Sequence, residues 1–341
     1  MSDAAKPAAG GPADVAADWA AMDAAAAVVV APGRRFFHAE GEERRQFLHG
    51  QTTAHVESLA PGEGRAALVL NAQGRPLALG AVYEDGERTW IATTAEHSGA
   101  ARAALSRFLV ADDCDFTDDL DATCLAVVGP RAAAVLDAAG VQGAASLPAW
   151  GMLGAVVAGT AVTIFSRGDL RVPSYDVMIA GAAGVAEVVL EAIVAAGARR
   201  CGAEALEILR IESGTPRYGA DVDETRIAVE ARLQWAIHFA KGCYVGQEVV
   251  ERAVSRGRIN HELCLLKLAG GVGPGARVDG GSDSDVVTSV AESPRLGAIA
   301  LAYLPRAKAE AGGAVTLIGD DRTVEAAVLP WPRARVLEGR S

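Results

Sequence analysis

The sequence predicts an α+β fold in two parts, a body of strand groups broken by single helices and a small all-β unit after it. Three observations carry this. The chain has 341 residues, half of them hydrophobic, enough for more than one core. Up to residue 257, alternating stretches recur with amphipathic helices between them, which suits α+β modules rather than a doubly wound parallel sheet. After Gly257, short strands lie about ten residues apart between Gly, Pro and Asp turns, the texture of a barrel or sandwich.

Taken in order, the opening MSDAAKPAAGGPADVAADWAAMDAAAA reads as a mobile Ala-rich tail over 1–27, ending in a short helix around Val15 to Ala26. It lacks the charged flank and compact apolar core of a secretory signal. Val28 to Ala31 and Arg35 to Ala39 read as strands, and Glu42 to Gln51 as a helix with Phe47 and Leu48 inward. Arg65 to Leu70, Leu77 to Tyr83 and Thr89 to Thr93 form a meander through turns at Asn71–Gly74 and Glu84–Glu87. Ala95 to Val110 has helical spacing.

A similar order of elements recurs without residue-level repetition. Cys124 to Val128 is a strand, Pro130 suits a helix's first turn, and Ala155 to Phe165 and Asp176 to Ala180 are strands. Ala186 to Ala196 is a helix stopped by Gly197, and Gly202 to Ser213 is another. The body is expected over 28–257 and the β unit over 258–341, where Glu262 to Leu268, Gly275 to Val278, Val286 to Ala291, Leu296 to Tyr303, Ala314 to Ile318 and Thr323 to Val328 supply the strands.

A formal net charge of −11 disfavours non-specific binding to nucleic acid or an acidic membrane surface. No apolar run approaches a membrane span. Five cysteines without a CxxC pair suit a reducing cytoplasm. GxGxxG after a strand, GxxxxGK[ST], HExxH and GxSxG are all missing. The acidic run from Asp112 to Asp121 lacks the turn glycine and distal Glu of a calcium loop, so a solvated linker is expected. His261 and Cys264, three apart on a strand, face opposite ways, and no metal site is expected.

The candidate for chemistry is KGCYVGQE, Lys241 to Glu248. A thiol ahead of a helix gains from its unpaired amides, and Lys241 adds a second positive charge, both favouring thiolate at Cys243. A Glu248 carboxylate pointing at the sulfur would oppose this. A small cysteine in a loop-to-helix turn is the structural alternative.

KGCYVGQE resembles the signature of the YgfZ family of folate-binding proteins, relatives of the glycine-cleavage T-protein. FLHGQTTAHVESL (Phe47 to Leu59), ALVLNAQGRPLA (Ala67 to Ala78), LRIESGTPRYGADVDE (Leu209 to Glu224) and VTSVAESPRLGAIALAYLPR (Val287 to Arg306) extend the likeness. The resemblance implies ferredoxin-like modules forming a ring-like folate-binding body, followed by a C-terminal β-barrel. It implies tetrahydrofolate or a derivative as ligand, and iron–sulfur client or assembly proteins as partners, including enzymes that modify tRNA. Cys243 and Lys241 become the functional thiol and its support. Asp176 after Tyr175, with Asn71, Gln51, Tyr244 and Gln247, becomes the folate-binding set, a carboxylate suiting a pterin's amino group and ring N–H. Asn71 could equally be a turn residue and Gln51 a helix-end cap. Where the T-protein carries an aspartate pair this chain has Ala78 and Leu79, and Leu206 replaces an arginine, so aminomethyl transfer is unsupported. An aminomethyltransferase or demethylase remains the alternative. Arg210 and Glu212 are expected to support the fold, one of them pairing with Asp221 or Asp223.

Overall fold

A computed structural model describes residues 14–30, 33–118, 122–181, 183–256 and 259–333, without the side chains of Ala183 and Arg256. Two antiparallel-rich sheets face each other across a shared core. The first runs β11-β1-β7-β10-β9-β8, from β1 (Ala27–Val30), β7 (Thr123–Val128), β8 (Met152–Val157), β9 (Thr160–Arg167), β10 (Ser174–Ile179) and the two-residue β11 (Arg199–Arg200). The second runs β3-β4-β5-β2-β6, from β2 (Arg34–Glu40), β3 (Gly64–Leu70), β4 (Pro76–Glu84), β5 (Thr89–Thr94) and β6 (Asp115–Asp118). Val29, Phe165 and Met178 of the first meet Phe36, Tyr83 and Trp90 of the second. Phe36 stacks on Phe165 at 4.6 Å between ring centroids.

Each sheet covers its outer face with two helices. Val135 and Leu136 of α4 (Ala132–Ala138) and Val189, Leu190 and Ile193 of α5 (Ala183–Ala195) cover the first. Phe47 and Leu48 of α2 (Arg44–Gln51) and Ala101 and Leu105 of α3 (Ser98–Ser106) cover the second. This is the recurrence of strands and helices expected from the sequence.

Three differences have local causes. The stretch around Ala155–Phe165 is a hairpin, β8–β9, turned at Ala158 (φ 48°) and Gly159 (φ 80°), an Ala-Gly pair without the usual Asn-Gly signal. Part of the acidic run is strand: β6 pairs with β2 as a short edge, where charged Asp115 and Asp118 discourage further pairing. The helix near the N-terminus, α1 (Val15–Ala24), is packed rather than part of a tail. Trp19 and Met22 are buried beside Leu209, and Asp18 accepts hydrogen bonds from Arg199 Nε (2.9 Å) and Gly202 N (2.9 Å). The expected tail's first thirteen residues lie outside the described residues, as does the expected boundary at 257–258.

The third sheet, β13-β16-β17-β12-β15-β14, follows α6 (Ala203–Glu212) and α7 (Gln247–Arg256) and curls into an antiparallel half-barrel. Its strands are β12 (His261–Leu268), β13 (Arg277–Val278), β14 (Val287–Ser293), β15 (Gly297–Pro305), β16 (Ala314–Ile318) and β17 (Thr323–Val328). Alternation divides β12: Leu263 and Leu265 pack on Leu68, Ile211 and Ile237 of the body, while Cys264 and Leu266 point into the curl with Leu304 and Leu317. The seam is polar as well. Buried Asp221 accepts from Arg210 Nη1 (2.7 Å), Thr288 Oγ1 (2.6 Å) and Ser289 Oγ (2.6 Å), and buried Glu212 accepts from Arg171 and Ser293. Arg210 and Glu212 thus tie the two parts together, Arg210 through the expected pairing with Asp221. No helix among the described residues is long and apolar enough to cross a membrane.

Candidate functional site

A cavity of about 500 Å³ lies among the body sheets, α6 and the loops after it. Apolar side chains dominate its wall: Val29, Leu79, Leu170, Leu206, Trp150 and Trp235. The two indoles stack 6.0 Å apart and within 7° of parallel. Trp150 sits at φ 64°, a strained conformation for a bulky residue and of the kind that clusters at ligand sites. Gly168 lies so close to this ring that a Cβ would strike it. Volume and lining suit a planar heterocycle of folate size.

The polar groups of the wall are mostly committed to one another. Arg167, at the end of β9, donates to Asp169 from Nε (2.8 Å) and Nη2 (2.6 Å). Burial pushes the Asp169 carboxyl up, but the Arg167 charge and hydrogen bonds outweigh it and hold the group at about 2. Arg210 uses all five N–H groups, on Glu207, Thr215 O, Asp221 and Ser289. Arg34 is different. Its Nε donates to Asp176 Oδ2 at 2.9 Å, and its terminal nitrogens have no acceptor among the described residues.

The expected site residues separate into distinct places. Asp176 is fully buried behind the wall; its second oxygen makes no hydrogen bond and lies 3.5 Å from Arg167 Nη1. Tyr175 faces the outer core and donates to Ala144 O, as the next residue on a strand must. Asn71 holds the β3–β4 turn, its Oδ1 accepting from Gln73 N (3.0 Å) and Arg75 N (3.1 Å). Gln51 ends α2, with its Oε1 buried and unbonded. Neither Asn71 nor Gln51 borders the cavity. Of the pair replacing the T-protein aspartates, Leu79 lines the cavity and Ala78 turns into the core behind β4. Leu206 lines the same cavity.

KGCYVGQE lies elsewhere. Gly246 (φ 83°) packs against the Asn71–Gly74 turn so tightly that a Cβ would strike the Asn71 carbonyl oxygen. β4 lines the cavity with Leu79 and Gly80 in mid-strand, whereas the loop packs on the Asn71–Gly74 turn before the strand begins. Cys243 is exposed and does not border the cavity. The proposed support from Lys241 is not available to it. The Lys241 ammonium is buried and donates to the carbonyls of His49, Thr52 (2.6 Å) and Ala54 (2.9 Å). Burial pushes this ammonium down to about 7 against the pull of Glu57. The Tyr244 ring, 5.2 Å from Lys241 Nζ, is buried with its hydroxyl unbonded, and Gln247 opens α7 outside the cavity. Next to this loop three imidazoles meet edge to face, His49 on His55 at 4.7 Å and His55 on His238 at 5.1 Å.

The model of the GCVT N-terminal domain matches residues 13–241, which holds both facing sheets and the cavity. The chain belongs to this family. An aminomethyltransferase of Nostoc sp. is 29% identical over 293 residues, covering 81% of this chain and 76% of its own. One of Streptomyces avermitilis is 29% identical over 303 residues, covering 84% and 81%. The fold is that of the glycine cleavage system aminomethyltransferase T of Bartonella henselae, with a TM-score of 0.81 at 21% identity over 95% of this chain and 90% of that one. Arg34, Arg167, Asp169 and the tryptophan pair were not legible from sequence as residues of one cavity, because they come from separate strands and loops. The Arg-Gly-Asp of 167–169 was the one local signal, a charge pair two apart at a strand end.

Proposed function

We propose that this protein binds tetrahydrofolate or a derivative in the 500 Å³ cavity and does not transfer aminomethyl groups. The observation that carries this is Leu79. It occupies the cavity wall where the family resemblance sets a reactive aspartate, and a leucine can neither accept a proton nor stabilise a cation developing on a folate nitrogen. Folate would supply a one-carbon carrier. Trp150 and Trp235 offer it flat apolar surface, and Arg34 offers donors. Asp176, buried behind the wall and outside the lining, holds Arg34 Nε in place at 2.9 Å rather than meeting the ligand itself. The opposed sheets with a cavity among them suit the ring-like, ferredoxin-like body that the resemblance implies.

The biological role we assign is that of a YgfZ-type accessory protein for iron–sulfur cluster assembly or repair in the cytoplasm, serving clients that include tRNA-modifying enzymes. KGCYVGQE supports this reading, as does the exposure of Cys243, which leaves the thiol open to a partner protein. The aminomethyltransferases among the relatives favour a second reading, transfer chemistry of their type. Calorimetric titration with tetrahydrofolate and a glycine-cleavage assay separate the two: saturable binding without turnover is expected, and turnover would overturn the first. Loss of iron–sulfur enzyme activity in cells carrying Cys243→Ser tests the role of the thiol.

A further inference from the structure

The wall around Leu79 points to the form of folate the cavity takes, an inference that rests on the folate reading above. Arg34 pairs with Thr94 across β2 and β5, and Gly80 pairs with Thr93 across β5 and β4. Continuing that register by one residue brings Leu79 level with Thr94, whose neighbour Thr93 donates from Oγ1 to Leu79 O at 3.1 Å. Arg34, Thr94 and Leu79 therefore form one cross-strand row, and all three line the cavity. With strands about 4.8 Å apart, Leu79 is two strand spacings from Arg34, within reach of a guanidinium on its flexible stem.

This end of the cavity thus offers hydrogen-bond donors and a leucine, with no carboxylate in the row. What faces the ligand is the Arg34 guanidinium. Its counter-charge, Asp176, is buried behind it and holds Nε in place, so the terminal N–H groups are fixed and uncommitted. The other carboxylates of the wall are on α6 (Glu204, Glu207) or held by Arg167 (Asp169). A row that ends in donors and leucine gives a cationic aminomethyl or iminium carbon no carboxylate to pair with and welcomes an oxygen acceptor. We infer that the cavity selects folates whose one-carbon unit is a neutral acyl group, a formyl oxygen accepting from Arg34, with Asp176 as the positioning residue behind it.

The test is calorimetric titration of the full chain with 5-formyl- and 5-methyl-tetrahydrofolate, which differ in that oxygen. The formyl compound is expected to bind about ten- to hundred-fold more tightly, the range of one or two charge-assisted hydrogen bonds. Arg34→Gln should erase this preference, read as the ratio of the two affinities, so that a general loss of binding or a lower melting temperature from uncovering buried Asp176 does not enter. Leu79→Asp, which leaves Arg34 intact but gives it a carboxylate partner across the row, should erase it independently. Equal affinities in wild type, or a preference that survives both substitutions, would overturn the inference. If neither folate binds wild type, the folate reading itself fails and this inference falls with it.

Discussion

The cavity and the KGCYVGQE loop invert what their sequences suggest. The loop carries the most recognisable string in the chain, yet its lysine is spent on three backbone carbonyls and its cysteine stands on the surface. The cavity draws on one recognisable string, LRIESGTPRYGADVDE, through Arg210 and Thr215 to Tyr218, yet its two stacked indoles, strained backbone and tight Arg167–Asp169 pair come from outside it. A contiguous motif can mark a structural joint, whereas a binding site is assembled from residues no spacing rule connects. Here the motif holds the tip of the hairpin whose second strand lines the cavity at mid-length.

The largest effect should come from the seam behind the cavity. Asp221→Ala strands Arg210 without its buried carboxylate and leaves Thr288 and Ser289 short of an acceptor, a loss of roughly 3–5 kcal/mol by denaturant unfolding. A loss under about 1 kcal/mol would mean the seam is not what braces the α6 wall. Gly246→Ala should cost about 1–3 kcal/mol, because a Cβ at φ 83° meets both backbone strain and the Asn71 carbonyl. If the folate affinity of that variant also fell, loop and cavity would be coupled through β4 and the contrast drawn above would weaken.

A subtler effect concerns pH. The ammonium of Lys241 titrates at about 7 when folded, against an ordinary value of 10.5. Between those values the unfolded chain holds more protons than the folded one, so stability gains with rising pH, by at most about 1.4 kcal/mol per unit. Below pH 7 both states are protonated and the gain is gone. Lys241→Met should flatten the difference in unfolding free energy between pH 7 and pH 10. An unchanged slope would mean Lys241 is not buried as an ammonium among carbonyls. The smallest effect belongs to Cys243→Ser, within about 0.5 kcal/mol, since the side chain is exposed. Iodoacetamide should label Cys243 in the native protein, while Cys124 and Cys264, buried and pushed up in pKa by burial, wait for unfolding.

Much of the fold was legible because each sheet repeats a local rule. Period-two alternation marked β3, β4, β5 and the half-barrel strands, and Gly197 at φ 109° stopped α5 where a helix-ending glycine belongs. The failures were equally local. Ala158-Gly159 makes a hairpin turn without advertising it, and an edge strand full of aspartate looks like a linker. Of the candidate site, the resemblance to the T-protein implied that Leu79 and Leu206 stand where an acidic and a basic residue are expected, and both line one cavity. It could not show that Asp176 would be taken by Arg34 and Arg167, because those partners lie 142 and 9 residues away, on other strands.

The last described residues reach back to the body. Arg333 donates to Gly168 O at 2.9 Å and lies 4.5 Å over the Trp235 ring, and Trp331 covers Gly214. During synthesis the two facing sheets can collapse once α6, ending at Glu212, has emerged, but the brace on the tryptophan wall, Arg333, arrives more than a hundred residues later. At the usual pace of about 5–20 residues per second, a nascent cavity would stand open for several seconds. Ligand capture before release from the ribosome would therefore meet an unbraced Trp235, and a competent pocket is a property of the finished chain.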